Sequence, residues 1–96
     1  MATESKKIGI VIADDHTMLR EAMRSAFAQY PDLEVLAEAS DGREAVAKSV
    51  ELKPDIVIMD IVMPELSGIE ATKEIRRVSP TTAVLILTAY DDDRYV

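Results

Sequence analysis

An α/β fold built on a parallel sheet is the architecture this sequence predicts, and three observations carry the expectation. Apolar runs of strand length alternate with helix-like stretches of about ten residues or more, the rhythm of β-α units. Two of those runs, Ile8 to Ala13 and Asp55 to Met59, are rich in Ile and Val, as strands buried on both faces require. Pro31, Pro54 and Pro80 each precede a run, where proline ends the helix before it and stays outside a ladder it cannot join.

The elements are expected in the order β-α-β-α-β-α-β. The first strand should span Lys7 to Ala13, the second Leu33 to Ala39, the third Asp55 to Met59 and the fourth Ala83 to Thr88. Between the first two, Met18, Leu19, Ala22, Met23, Ala26 and Phe27 recur at helical spacing and give the first helix one apolar side. The methionines there are expected to fill the core. Asp41 with Glu44, and Ser67 with Glu70, have the spacing of capping boxes that open the second and third helices. Glu70 is accordingly read as a cap and not as a catalyst. On the third helix Ile69, Thr72 and Ile75 can face the sheet, while Lys73, Arg76 and Arg77 face water, the last two beside the negative end of the helix.

Composition narrows the function classes. The 96 residues, 48% of them hydrophobic, can form one core, and nothing in them marks a second domain. The chain has no cysteine, so it offers no disulfide framework, thiol nucleophile or thiolate metal site. Met1 to Lys7 is polar and leads into a run too short to span a bilayer, so a cytoplasmic protein with no membrane association is expected. A net charge of −7 opposes nucleic-acid binding by this chain, because phosphate contacts need clustered Lys and Arg.

The chemistry gathers at the strand ends. Asp14 and Asp15 close the first apolar run and Asp60 closes the third. In open parallel sheets the ligand crevice lies outside the carboxyl ends of the strands, so these acids should converge. Three carboxylates in one crevice repel unless a cation or protons intervene, and hard oxygen ligands favour Mg²⁺. A carboxylate beside such an ion is a candidate phosphoryl acceptor. Asp60 takes that role, Asp15 binds the metal directly, and Asp14 binds through water or tunes the field. A backbone carbonyl near Val62 would add a further oxygen ligand. Thr88 and the Ala89 N–H, at the tip of the fourth strand, could donate to phosphoryl oxygens. Pro64 and Gly68 punctuate the loop after Asp60 and would hold the acceptor in place.

Each signal has an ordinary counterpart. A strand-terminal Asp commonly caps a helix or forms a turn, and Asp pairs are frequent on surfaces. The weight lies in the combination, since Asp14 and Asp15, Asp60 and Thr88 follow three separate runs at one end of the sheet. His16 is expected to begin the first helix, with shaping of the acidic pocket as its second possible role. As the sole histidine it excludes any multi-histidine metal site.

Three separated segments carry a family resemblance. Ile10 through His16 with its Asp-Asp-His end, Asp55 through Pro64 and on to Gly68, and Leu85-Ile86-Leu87-Thr88-Ala89 together resemble the receiver domain of bacterial two-component response regulators. The Asp-Asp-His start and the segment Glu38 through Ala45 are most similar to the NarL/FixJ branch. The resemblance spans essentially the whole chain, residues 1–96. It implies a flavodoxin-like (CheY-like) three-layer fold, here with four strands and three helices. It further implies Mg²⁺-dependent phosphorylation of Asp60 by a sensor histidine kinase, with Thr88 as the switch residue. Such a domain is a signalling phosphoacceptor and not an enzyme with an external substrate.

The family pattern also sets expectations about what lies further on. Family members carry a fifth strand ending in a phosphate-binding Lys, which would need about twenty residues more than this chain has. Lys48, Lys53 and Lys73 fall in helix or loop segments and none is assigned that role. Full-length members of the branch usually bind DNA through a C-terminal domain, which this chain lacks. Strand four is then expected at the sheet edge beside an uncovered apolar face, a surface that invites homo-oligomer formation. Tyr90 and Tyr95 are candidates for the repacking that follows phosphorylation, but simple packing or exposure to water is the preferred reading of both. Two other classes stay in view: a non-phosphorylated interaction module, and a small Mg²⁺-dependent phosphohydrolase. The second would need another acid/base, and the residue two after Asp60 is Val62.

Overall fold

A computed structural model describes residues 7–61, 63 and 66–87. Its elements are β1 (Ile8–Ala13), α1 (Thr17–Ala28), β2 (Leu33–Ala39), α2 (Gly42–Leu52), β3 (Ile56–Asp60), α3 (Gly68–Val78) and β4 (Ala83–Leu87). All three pairings are parallel and the strand order is β2-β1-β3-β4. The order of elements and the parallel sheet are as the sequence predicts. β1 begins at Ile8, one residue later than expected, and β3 is displaced by one residue to Ile56–Asp60, with Asp60 its last paired residue, opposite Leu87. Thr88 lies outside the described residues.

Helices cover the sheet in two layers. On one face Val11, Ala13, Val57 and Met59 pack with Ala45 of α2, Ala71 and Ile75 of α3, and Met63. On the other, Ile10, Ile12 and Ile58 meet Met23 and Phe27 of α1. Residues Ile10 to Ala13 of β1 are all buried, since the strand has a neighbour on each edge and helices on both faces. Each such side chain contributes about 1.5–3 kcal/mol relative to exposure, Ala13 less.

The layers are unequal. The α1 helix buries none of its residues, and Met18, 83% exposed, together with Leu19, Ala22 and Ala26, lies outside the core. The expected apolar stripe is therefore present but meets the sheet only through Met23 and Phe27. Of the two methionines expected to fill the core from α1, Met23 packs half-buried against Ile10, Ile12 and Ile58, and Met18 does not. On α3 the expectation holds for Ile75, which is buried, and fails for Ile69, which is exposed, with Ala71 also buried against the sheet. Among the described residues β4 pairs on one side only, and Leu85 beside Ile58 is 55% exposed on the α1 face.

Caps fix where the helices begin. The Glu44 amide donates to Asp41 Oδ1 at 2.8 Å and the Glu70 amide to Ser67 Oγ at 3.2 Å, the expected N-cap bonds. The return arm of the first box reaches one residue back, with Glu44 Oε1 accepting from the Ser40 amide at 2.9 Å. Gly42 and Gly68 stand at the first positions of α2 and α3 because backbone comes too close for a side chain. A Cβ on Gly42 would strike the Leu66 carbonyl, and one on Gly68 would strike the carbonyl of Asp60.

The β1–β2 ladder contains one irregularity. Ile10 pairs with Val35 but Val11 pairs with Ala37, so Leu36 is an extra residue in β2. Strict alternation would put Leu33, Val35, Ala37 and Ala39 on one face. Instead Leu33 and Val35 pack on the α1 side, and Ala37 and Ala39 on the α2 and α3 side. Glu38, opposite Ile12, is thereby turned toward α1.

Candidate functional site at the carboxyl ends of the strands

Asp14 follows β1 directly, and its amide donates to the Ala39 carbonyl at 3.0 Å, continuing the β1–β2 ladder past the end of the strand. Its side chain turns inward and the residue is 1% exposed. Asp15 is exposed, and Asp60 at the tip of β3 is half-buried. Asp14, Asp15, His16 and Asp60 each present one potential ligand atom, and these atoms all lie within 4.8 Å of one another. The convergence expected of the three acids is realised. At ordinary Mg²⁺–oxygen bond lengths, oxygens sharing one ion lie about 3–4 Å apart, so an ion would draw these carboxylates closer together. Three hard oxygen donors of like charge fit a divalent cation.

His16 joins the group in a way its sequence position only half announces. It is the N-cap of α1 by backbone conformation, yet its side chain makes no capping bond. Its amide donates to Asp14 Oδ1 at 2.8 Å, and its ring Nδ1 lies 2.8 Å from the same oxygen and 3.1 Å from Asp15 Oδ1. The imidazole thus stands where a cation would enter, and at 68% side-chain exposure it has open solvent to swing into. The hydrogen bond to Asp14 pushes the imidazole above its ordinary 6.5, and the charges of Asp15, Asp14 and Asp60 add to this against a small opposing effect of burial.

The sign of the pH dependence follows. A raised pKa means that the folded chain holds the proton more tightly than the unfolded one. The stabilisation is complete below about 6.5 and disappears as pH rises through the folded value. An NMR titration of the His16 ring should give a midpoint above 6.5 in the metal-free protein, and Asp14→Asn should bring it down. A midpoint unmoved by that substitution would show that Asp14 does not hold the proton.

Behind the acids lies a polar tie that sequence reading missed. Arg20 on α1 donates through Nη1 to the Asp14 carbonyl at 2.5 Å and through Nε to Glu38 Oε1 at 3.0 Å. Glu38 Oε2 in turn accepts from Arg24 Nη1 at 2.7 Å. Helical spacing from His16 put Arg20 near the site, but nothing local pointed Glu38 toward it. Val62, Thr88 and Ala89, the other expected contributors, lie outside the described residues, as do Pro64, Tyr90 and Tyr95.

Comparison with known proteins accounts for this arrangement. Residues 10–96 match the response regulator receiver domain, and the chain belongs to that family. Its fold is the CheY-like, flavodoxin-like one expected for such domains.

Particular relatives refine the placement. The chain is 46% identical over 87 residues to the transcriptional regulatory protein YhcZ of Bacillus subtilis, covering 91% of this chain and 41% of that protein. It is 44% identical over 86 residues to LiaR of the same species, covering 90% and 41%. Among solved structures, the signal receiver domain of NarL from Mycobacterium tuberculosis superposes with a TM-score of 0.85 at 30% identity, covering 95% of this chain and 73% of that one. The response regulator domain of CheB from Thermotoga maritima gives 0.83 at 38% identity, covering 92% and 65%. The chain thus spans about two fifths of the length of these curated relatives. Its NarL-like character accords with the Asp-Asp-His start. Among the described residues no helix is long and apolar enough to cross a membrane.

Proposed function

We propose that Asp60 is the phosphoacceptor of this receiver domain and that Asp14 and Asp15 hold a divalent cation, Mg²⁺, beside it. The observation that carries the reading is the convergence of Asp14, Asp15 and Asp60 at the carboxyl ends of two adjacent strands. A carboxylate oxygen of Asp60 attacks the phosphorus of a donor, a phosphohistidine of a sensor kinase or a small acyl phosphate. One O–P bond forms while the donor's bond to phosphorus breaks, and the donor leaves with that electron pair. Bound Mg²⁺ would supply charge neutralisation for the acceptor and the phosphoryl oxygens. The β3 ladder holds Asp60 at a fixed depth, and the close approach of Gly68 to its carbonyl limits backbone drift. Val62 would offer its carbonyl to the cation, and Thr88 with the Ala89 amide would bond the transferred group.

The domain is read as a signalling acceptor, with no external metabolite as its substrate. Its relatives YhcZ and LiaR are named transcriptional regulatory proteins, and the RcsB response regulator of Salmonella typhimurium has a structure described in terms of DNA interaction. These names support a parent that regulates transcription through a further domain while this chain receives the signal in the cytoplasm. Incubation with acetyl phosphate and Mg²⁺ should add a single acid-labile phosphoryl group, seen as one mass increment that needs the metal. Rapid turnover of phosphate esters would favour a phosphohydrolase instead. No increment at any metal concentration would overturn the reading.

A further inference from the structure

We propose that Arg20 is a positioning residue for the cation-binding acids, acting through the main chain of Asp14. The inference rests on the reading of Asp14 and Asp15 as metal ligands and extends it to a residue that touches neither carboxylate.

The N-terminal turn of α1 needs such a tie. The helix buries none of its residues, has no acidic residue in its first turn and starts without a side-chain cap, so apolar packing and capping do little to set where it begins. Polar contacts do it instead. The Arg20 amide bonds the His16 carbonyl at 3.1 Å as the first helical bond. The guanidinium of the same residue, with only 15% of its side chain exposed, reaches back to the Asp14 carbonyl. Its planar fork lets one residue meet that carbonyl and Glu38 together.

The carbonyl of Asp14 belongs to the peptide plane that joins Asp14 to Asp15. Anchoring that oxygen on one side, while the Asp14 amide is held by Ala39 on the other, fixes both backbone torsions of Asp14. The direction in which Asp15 leaves the sheet follows from that plane. Glu38 completes the device because the extra residue in β2 turns it to the α1 face, where Arg20 and Arg24 share its carboxylate. The chain of contacts runs from β2 through Glu38 and Arg20 to the peptide between the two acids.

Charge and position predict opposite outcomes, which makes the proposal testable. Arg20 is a cation close to a site for cations, so loss of its charge alone would strengthen metal binding. Loss of its positioning bonds would weaken it. Mn²⁺ serves as the probe, with free ion followed by electron paramagnetic resonance and folding checked by circular dichroism. Arg20→Met, which keeps much of the apolar stem, should raise the Mn²⁺ dissociation constant by about five-fold or more, somewhat below the usual cost of removing a group that orients a metal ligand. Arg20→Lys, retaining the charge and one donor for the Asp14 carbonyl, should restore most of the affinity.

Binding by folded Arg20→Met that is as tight as in the parent, or tighter, would overturn the proposal and leave the metal site standing. Should Arg20→Met fail to fold, Arg20→Gln is judged by the same criterion. Absence of Mn²⁺ binding by the parent at millimolar ion would overturn the site reading, and the proposal with it.

Discussion

Asp60→Asn is expected to leave a folded domain that no longer takes up an acid-labile phosphoryl group. The amide conserves the volume and planar shape of the carboxylate at a half-buried strand tip, so β3 and its pairing with β4 have no reason to shift. What disappears is the anionic oxygen that forms the new bond, together with one of the three negative charges that would draw a divalent cation. The rate of mass gain from acetyl phosphate with Mg²⁺ should fall by more than about 100-fold, the scale of losing a nucleophile and not of perturbing its surroundings. The melting temperature should stay the same or rise, because one source of like-charge repulsion is gone. Phosphorylation of the variant at the parent rate would assign the acceptor elsewhere.

Gly68→Ala should be destabilising although it adds only one methyl group near the site. Alanine normally favours a helix over glycine by up to about 1 kcal/mol, so propensity alone predicts a gain. The structure predicts a loss, because the new methyl would press on the Asp60 carbonyl, come within 2.9 Å of Ile61 Cα and within 3.1 Å of the Asp60 carbonyl carbon. These are backbone atoms at the end of a paired strand, and they cannot turn aside as a flexible side chain does. Overpacking of this kind costs about 1–3 kcal/mol. For a domain of this size that lowers the melting midpoint by roughly 4–8 °C per kcal/mol. The atoms that must yield carry the proposed acceptor, so phosphorylation should slow as well. A thermal melt at or above the parent value would show that α3 slides away from β3 without strain.

Much of this was legible in the sequence for a simple reason. Parallel strands bring their carboxyl ends to one rim, so acids that close separate apolar runs must meet, and Asp14, Asp15 and Asp60 do. The caps at Asp41 and Ser67 are local, made between residues three apart, and local patterns survive folding. What sequence did not disclose depends on contacts between distant elements. The stripe of α1 was real, but periodicity says that a face is apolar and not how much of it finds a partner, so Met18 stays exposed. His16 has the backbone of a cap while its ring serves the acids. Arg20 and Glu38 meet across 18 positions only because β2 breaks its alternation, which no period-2 pattern records.

Leu36 marks that break, and its position has a consequence for insertions and deletions. It is the spare residue of an outer strand, opposite no partner of its own. A chain lacking it would regain regular pairing with every flanking side chain still in its present layer. Shortening the protein at Leu36 should therefore be survivable, with a cooperative melt and the Glu38 contacts retained. The bulge thus gives β2 a spare residue through which the length of the chain can vary without reversing its sidedness.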